Sequence, residues 1–559
     1  MININIREEY GWRLYRYKGI NLWFSGYLTG HTDPSMVIFE SFDFLNNKTH
    51  SIDFFSNWVR KLTGHFAFVI EATDNWCFMA TDKICSIPLF EVFYDGHYTV
   101  SNYAPNLRSI SGVNYDINLD VALEISMSGF ALGNKTLYDN LKRLSAGECV
   151  FWFNNKIYRD YYYTYTPWEM HSCNYAQLKQ ELTNVLMSTL KKTIDSVNGR
   201  QIVVPLSAGH DSRLIVSGLK KLEYENVVCF SYGRRGNYEV KTSKKICDML
   251  GYKWIYVQDE LNRKRAFFLS DVYEKYVKAF ESYASVPNIQ DIYEVFTLKQ
   301  MSIIDNDAVI INGNSGDFIS GGHIPTDNSL NEKVFTLDNF TWAHFLDKHY
   351  SLWSKLRTQF NDNLIIDRLF KIASKRCITK NNDFTTYSVM ECMECIGRQS
   401  RLVTNQQRSY EFIGHEWRLP LWGEEMLDFW ESVPMQYKIE QKLYKDVLHD
   451  NDWGKVWSNI DINKKLIRPY SLWFIRMLMK ILISPFGKRI WHRVEKNMFI
   501  YWMHPSYARA ITSYFNVLFD NRGQRNTNSW TADQFIKKRG FKGVESVSDA
   551  VRNKYNDSR

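Results

Sequence analysis

The apolar residues of this chain fall into two periods. Up to about residue 165 they come in short alternating or aromatic runs, as at 64–70, 76–81 and 98–101, separated by Asp-Asn and Asp-Gly pairs. Alternation bounded by such pairs predicts strands joined by tight turns, and half-apolar strands bury their faces sheet on sheet. A polar link at 166–174 follows, after which 178–194 takes helical spacing. The run 202–206, with β-branched Ile202, Val203 and Val204, predicts a buried strand. It turns through Ser207-Ala208-Gly209-His210-Asp211-Ser212 into a stretch where Leu214, Ile215 and Leu219 share one helical face, with Asp211 and Ser212 placed to cap the helix. Residues 226–233, 254–257 and 309–311 predict further buried strands, and 244–250 a helix ending at Gly251. Strand–helix–strand alternation implies a parallel sheet with its ligand at the carboxyl ends of the strands. Three parts result: a strand-rich sandwich at 1–165, an α/β unit at 175–455, and a helical extension rich in basic and aromatic residues at 456–559.

Composition bounds this picture without redirecting it. With 559 residues, 45% hydrophobic and 16% aromatic, the chain can bury two or three sizeable cores. A formal charge of +8 is mild at this length. Basic residues interleaved with bulky aliphatics, and no recognisable module, argue against a nucleic-acid partner. Nine cysteines without a paired framework point to a reducing, cytoplasmic setting. Cys392 and Cys395 form a lone C-x-x-C, which reads as buried structure and not as a zinc site. The opening Met1-Ile2-Asn3-Ile4-Asn5-Ile6 lacks the basic start and long apolar core of a secretion signal.

The chemistry concentrates at the turns. A strand that turns through small residues into a helix presents free backbone N–H groups and the positive end of a helix dipole, which is a site for phosphate. No Gly-Lys-Ser/Thr closes it, so it is not of the Walker type. The pattern Ser207-x-Gly209-x-Asp211-Ser212 resembles the pyrophosphate loop of the ATP pyrophosphatases, with Ala208 in place of a second glycine. A second stretch, from Val309 to His323, is an apolar strand opening into a glycine-rich loop with one acid, Asp317. It resembles the corresponding loop of asparagine synthetases, with Gly313, Asp317, Gly321 and Gly322 in matching positions. A third, Glu416-Trp417-Arg418-Leu419-Pro420-Leu421 followed by 443–448, resembles that family's Glu-x-Arg-x-Pro segment and its later lysine-bearing helix. Residues 60–155 resemble its amino-terminal glutaminase domain, through 62–70, 80–83, 88–90, 136–138 and 144–148.

In order over most of residues 60–450, then, the chain resembles the asparagine synthetase family. That resemblance implies an α/β synthetase domain with a parallel sheet, of the ATP-pyrophosphatase or adenine-nucleotide α-hydrolase type. It implies a preceding α+β sandwich of the Ntn-hydrolase glutaminase type. It implies ATP and Mg2+ as cofactors, with Asp211 and Asp317 holding the metal on the phosphates. Ser207, Gly209, Asp211 and Ser212 would bind the pyrophosphate, while Leu206, Tyr232, Asn312 and Gly313 would line the nucleotide. Lys445 would stabilise the charge that builds on the α-phosphate and the attacked carbonyl.

The departures from the family matter as much. Its glutaminase uses a cysteine at the mature amino terminus, where this chain has Ile2; the first cysteine, Cys77, falls inside a predicted strand, and no Asn-Gly-Glu loop is present. The glutaminase half is expected to be inactive. Asn314 stands in place of the glutamate credited with deprotonating the attacking amine, and Phe318 in place of a second acid. His323 is the candidate substitute base. Gly423 replaces an aspartate.

The reaction implied is ATP-dependent adenylation of a carboxylate, then attack by ammonia or an amine. The chain looks like the divergent members of bacterial surface-polysaccharide pathways, whose substrate is a sugar uronic acid, nucleotide-linked or lipid-linked. A lactam- or peptide-bond-forming cyclase is the enzymatic alternative, and a catalytically degenerate ATP-binding scaffold the non-enzymatic one. A tRNA-modifying ATP pyrophosphatase fits the first loop but not the amino-terminal part. The tail at 466–502 carries two charges inside its apolar run, which disfavours a bilayer span. An interfacial helix in peripheral contact with a membrane and a helix packed on the synthetase core both remain open.

Overall fold

In the computed structural model, residues 2–45, 51–72, 76–167, 174–233, 236–325, 339–377, 385–460, 470–503 and 511–557 are described. The alternating runs of the amino-terminal part form two sheets. One has four strands in the order β1 (Ile2–Asn5), β7 (His97–Ser101), β6 (Phe90–Tyr94) and β8 (Leu141–Arg143), with β1 parallel to β7. The other is antiparallel, in the order β10 (Lys156–Tyr161), β9 (Glu148–Phe153), β5 (Trp76–Thr81), β4 (Gly64–Ala72), β3 (Ile20–Leu28) and β2 (Arg13–Tyr17). Alternation decides the layers. Ala67 and Val69 of β4 share a core with Tyr98 and Val100 of the facing sheet, whereas Phe66, Phe68 and Ile70 pack with Phe55 and Val59 of the helix Ile52–Val59.

The synthetase part holds a five-stranded sheet, parallel throughout, in the order β13 (Lys253–Gln258), β12 (Val227–Gly233), β11 (Ile202–Pro205), β14 (Val309–Ile311) and β15 (Glu416–Arg418). The chain runs outward from β11 to β13 and then returns to the other side of β11 as β14. The strand order therefore reverses between β11 and β14, and an open crevice forms beyond their carboxyl ends. β15 escaped the sequence reading because Glu416 and Arg418 flank a lone Trp417; pairing of Ile310 with Trp417 makes it a strand. The helix after β11 also differs from expectation. It runs His210–Lys221 with Gly209 as an extended cap that makes no side-chain bond. Asp211 and Ser212, expected to cap it, lie in its first turn. Ser212 Oγ instead accepts from the Ser207 N–H at 3.0 Å, which closes the loop.

The helix Leu119–Ser128 is buried from Val121 to Ser128 and is shared by all three parts of the chain. Its apolar side chains join one core with Leu369, Met393 and, from the carboxyl-terminal helices Thr527–Lys537 and Val544–Asp557, Phe535 and Val547. Buried arginines tie the amino-terminal part to the synthetase part: Arg376 donates to the Ala146 carbonyl at 2.9 Å and Arg408 to that of Ser86 at 2.8 Å. The helices Tyr470–Ile483 and Lys488–Met503 behave differently. Arg476 and Glu495 pair them, and their outer face leaves Trp473, Phe474, Leu478, Ile481 and Leu482 exposed. No helix among the described residues is long and apolar enough to cross a membrane. The eight described cysteines are free and buried.

The seam between the two parts has a pH-sensitive member. Glu431, on the helix Glu424–Ser432, accepts from Tyr163 Oη at 2.7 Å and from the Thr166 N–H at 3.0 Å, and burial raises its carboxyl from 4.5 to about 7. Because the folded value is the higher one, its contribution to stability is complete below 4.5 and is lost as pH rises through 7. Between about pH 6 and about pH 8 the wild type is expected to lose stability relative to Glu431→Gln, which keeps an acceptor without the charge. Denaturant midpoints at the two pH values check this; equal pH responses would show that the carboxyl ionises freely.

Candidate functional site

Two loops leave the carboxyl ends of adjacent strands, 206–212 after β11 and 312–317 after β14, and they touch. A Cβ on Gly313 would lie 2.6 Å from Asp211 Cβ, and one on Gly316 would lie 2.6 Å from Asp211 Oδ1 and 2.7 Å from Leu421 Cδ1. Glycine is required at both positions by this approach, whatever its backbone angles. Behind the contact, an open cleft of about 320 Å3 is walled by Asp211, Gly313, Asn314, Ser315 and Asp317 on one side and by Arg398, Gln399 and Gln406 on the other.

The two aspartates are held differently. Asp211 accepts from Tyr444 Oη at 2.9 Å and from the backbone of Asp317. Burial raises its carboxyl to about 7, and the neighbouring charge of Asp317 adds to this. Asp317 is more open, its side chain 56% exposed, and His323 Nε2 lies 3.2 Å from its Oδ2. Burial would raise Asp317, but His323 outweighs it and holds the carboxyl below its ordinary value. Behind it stands a relay: His323 Nδ1 is 2.5 Å from Glu394 Oε1, and His349 Nε2 is 3.1 Å from Glu394 Oε2. Burial opposes the charge on His323, yet Glu394 and Asp317 together raise it to about 9. The imidazole is thus a cation with both nitrogens engaged by carboxylates. Expected as a stand-in base, it lies between two carboxylates and braces Asp317.

The other expected residues divide between the cleft and its support. Ser207 and Gly209 lie at the mouth of the first loop, where the Gly209 N–H donates to Ser207 Oγ at 3.1 Å. The uncapped start of the helix His210–Lys221 faces the same way, open to an anion. Leu206 is buried in the sheet core. Asn312 donates to Gln407 Oε1 at 3.1 Å and Tyr410 Oη at 3.3 Å, and Tyr232 Oη donates to Asp291 Oδ1 at 2.6 Å. None of these three is among the side chains that line this cleft. Lys445 follows Tyr444 on the helix Lys442–Asn451, its Nζ donating to the Glu440 carbonyl at 2.7 Å. It is close enough that its charge, after burial, helps to lower His210 to about 4. Asn314 lines the cleft and donates to Gln406 Oε1 at 2.9 Å, while Phe318 turns inward against Trp422, ring centroids 5.4 Å apart. Cys77, inside β5, is buried and its thiol is pushed well up by that burial.

Several site residues carried no readable signal. Tyr444 precedes Lys445 in a Leu-Tyr-Lys run that reads as helix core, yet it is the member of that helix that reaches Asp211. Glu394 and His349 lie in stretches with no glycine-rich or paired-acid pattern. Asp291 adopts a left-handed backbone (φ 64°) and takes Tyr232, Tyr410 and Gln406 on its buried carboxylate.

Among the described residues no group of three or more His, Cys, Asp or Glu side chains forms a ready-made metal centre. Asp211 and Asp317 nevertheless fit a magnesium ion shared with phosphate, because this hard cation takes one or two carboxylates and completes its shell from phosphate oxygens and water. Two like charges whose mutual repulsion helps to hold one of them protonated is a donor set that a cation would relieve.

Residues 187–450 match the family model for asparagine synthase. A probable glutamine-hydrolysing asparagine synthetase of Acanthamoeba polyphaga mimivirus is 33% identical over 106 residues, 19% of this chain and 18% of that protein's length. Among solved structures, the NH3-dependent NAD synthetase from Campylobacter jejuni subsp. jejuni NCTC 11168 is 16% identical, over 40% of this chain and 93% of that one, with a TM-score of 0.20. The allosteric regulatory enzyme of purine biosynthesis is 12% identical, over 54% and 62%, with a TM-score of 0.19.

The loop contact is directly testable. Gly316→Ala places a methyl group against Asp211 and Leu421, and overpacking of this kind costs ~1–3 kcal/mol. The variant is expected to fold with a lowered denaturant midpoint and to lose magnesium-dependent nucleotide binding by calorimetry. Wild-type binding would show that the two loops can separate without consequence.

Proposed function

Residues 187–450 belong to the asparagine synthase family, and from that premise we propose that this chain is an ATP-dependent ligase that joins nitrogen to a carboxylate and releases AMP and pyrophosphate. The observation that carries the reading is the pair Asp211 and Asp317, placed side by side at the point where the strand order reverses, next to an uncapped helix start. A magnesium ion there would neutralise charge on the leaving pyrophosphate. In the first step a substrate carboxylate oxygen attacks the α-phosphorus and the bond to the bridging oxygen of pyrophosphate breaks. In the second the nitrogen attacks the acyl carbon, AMP leaves, and the nitrogen gives up a proton. Tyr444 fixes Asp211, and the His323–Glu394–His349 relay fixes Asp317. Of the cleft wall's own side chains only these two aspartates are carboxylates, so the amine proton is assigned to solvent in the open cleft. Lys445, next to Tyr444 on the same helix, is the cation assigned to the charge that builds on the attacked carbonyl.

Amides and hydroxyls dominate the rest of the wall, among them Asn288, Gln290, Ser315, Gln399 and Asn528. That lining suits a polyhydroxylated carboxylate, and a sugar uronic acid of a surface polysaccharide is the substrate class proposed. The nitrogen comes as free ammonia or a substrate amine, since Cys77, Cys85 and Cys149 of the sandwich are all buried. With a uronic acid, ATP and ammonia, the expected nucleotide product is AMP, and Asp317→Asn should cut its formation by about 100-fold or more, the scale of losing a preorganised charge. Nucleotide analysis reads this; ADP as product, or full activity in the variant, would sink the assignment. Glutamine as the sole nitrogen source should give no product.

A second reading concerns location. Between 470 and 503 the sequence carries Arg476, Lys480, Lys488, Arg489, Arg493 and Lys496 against Glu495 alone, beside the exposed apolar face of the same two helices. Aliphatic and aromatic residues backed by cations fit the surface of an anionic phospholipid bilayer. The protein is expected to sediment with phosphatidylglycerol vesicles but not phosphatidylcholine vesicles, and the double variant Ile481→Asp, Leu482→Asp should weaken this about tenfold or more. Equal behaviour with both lipids, or no effect of the substitutions, would remove the membrane from the account.

A further inference from the structure

Beyond Asp317 the cleft does not end. Arg398, Leu402 and Asn528 line both it and a second cavity of about 170 Å3, which continues past His323 to Lys348, Arg525 and Asn526. The second cavity is cationic, and its cations are poorly matched by acids. Among the described residues Lys348 Nζ donates to the His323 carbonyl, and Arg525 to the carbonyls of Asp347 (2.9 Å) and Lys348. Neither has a carboxylate within ion-pair range among the described residues. Arg398 reaches Glu394 at 3.6 Å, and that carboxylate is already shared by His323 and His349. Burial lowers the pKa of Lys348, and burial with the charge of Arg398 lowers that of Arg525. Each cation is thus held in a partly dry place at a cost that an anion would offset.

We propose that this second cavity is a subsite for a phosphate group carried by the carboxylate substrate, held by Lys348, Arg398 and Arg525 while the carboxylate lies beside Asp211 and Asp317. Three cations converging on one small cavity match a phosphate dianion better than a single carboxylate, which one guanidinium satisfies in a bidentate pair. The geometry also fits an extended ligand, because the two cavities share Arg398, Leu402 and Asn528 as a common wall. Arg525 and Asn528 come from the carboxyl-terminal segment, which gives that segment a part in choosing the substrate. The proposal rests on the ligase reading and narrows its substrate to a phosphorylated carboxylate, such as a uronic acid joined to a phosphate or diphosphate.

The test uses the full-length chain and inorganic phosphate as probe, by calorimetry, with magnesium and saturating α,β-methylene-ATP present. Phosphate is expected to bind together with the nucleotide analogue, and acetate not to bind. Arg398→Gln and Arg525→Gln should each weaken phosphate by about tenfold, the scale of one lost charge-assisted hydrogen bond, and Arg525→Gln, which lies outside the cleft wall, should leave the analogue's affinity within about twofold. Arg525 braces the 347–348 backbone, so its variant risks misfolding; Arg398 makes a single ion pair, to Glu394 at 3.6 Å, and provides the independent reading. Phosphate displaced by the analogue would assign these cations to the nucleotide's own phosphates and overturn the proposal. So would phosphate affinity unchanged in Arg398→Gln, acetate bound as tightly as phosphate, or no phosphate binding at all. Failure of the analogue itself to bind would instead count against the ligase reading, and the phosphate titration alone would still report on the subsite.

Discussion

Everything at the site depends on one close approach, that of the loop after β11 to the loop after β14. Adjacent parallel strands bring their ends within about 5 Å of each other, and only side chains then keep the following loops apart. Here Gly313 and Gly316 remove them, so Asp211 packs on backbone and takes a hydrogen bond from the Asp317 main chain. The reversal of strand order at the same point keeps crossover segments from covering the pair. Two carboxylates at the mouth of an open crevice follow from topology and two missing methyl groups.

That placement creates an electrostatic problem which the surroundings handle unequally. Asp211 keeps a raised pKa despite the Tyr444 hydroxyl and the Asp317 main chain, whereas Asp317 is braced by His323, itself held between carboxylates. The asymmetry gives the pair one firm anion and one that ionises fully only when positive charge arrives. A site arranged in this way is suited to a ligand that brings a cation with it.

The three parts of the chain are less separate than their order suggests. Buried arginines hand their donors to carbonyls across the seam, and the helix Leu119–Ser128 lies in one core with helices from the synthetase part and from the carboxyl-terminal end. Residues 525–528 therefore reach the rim of the same cleft system as Asp317. The helices at 470–503 differ in leaving Trp473, Phe474, Leu478, Ile481 and Leu482 exposed.

The sequence by itself determined what depends on local pattern. β-Branched runs gave the strands β11, β12 and β14, glycine and aspartate spacing gave the two loops, and the small residues after β11 gave a helix start open to phosphate. It also showed what was missing, in Asn314 and Phe318, because a residue type can be read without knowing its neighbours. Tertiary structure decided the rest. The cap moved from Asp211 and Ser212 to Gly209 because Ser212 had a better partner across the turn. Tyr232 and Asn312 found partners in Asp291 and Gln407, and Tyr444, unmarked in the sequence, reached Asp211. His323 became a brace once Glu394, 71 residues on, was set against its other nitrogen. A charge or a hydrogen-bond partner acts through space, so its effect on a side chain is fixed only when the fold brings distant segments together.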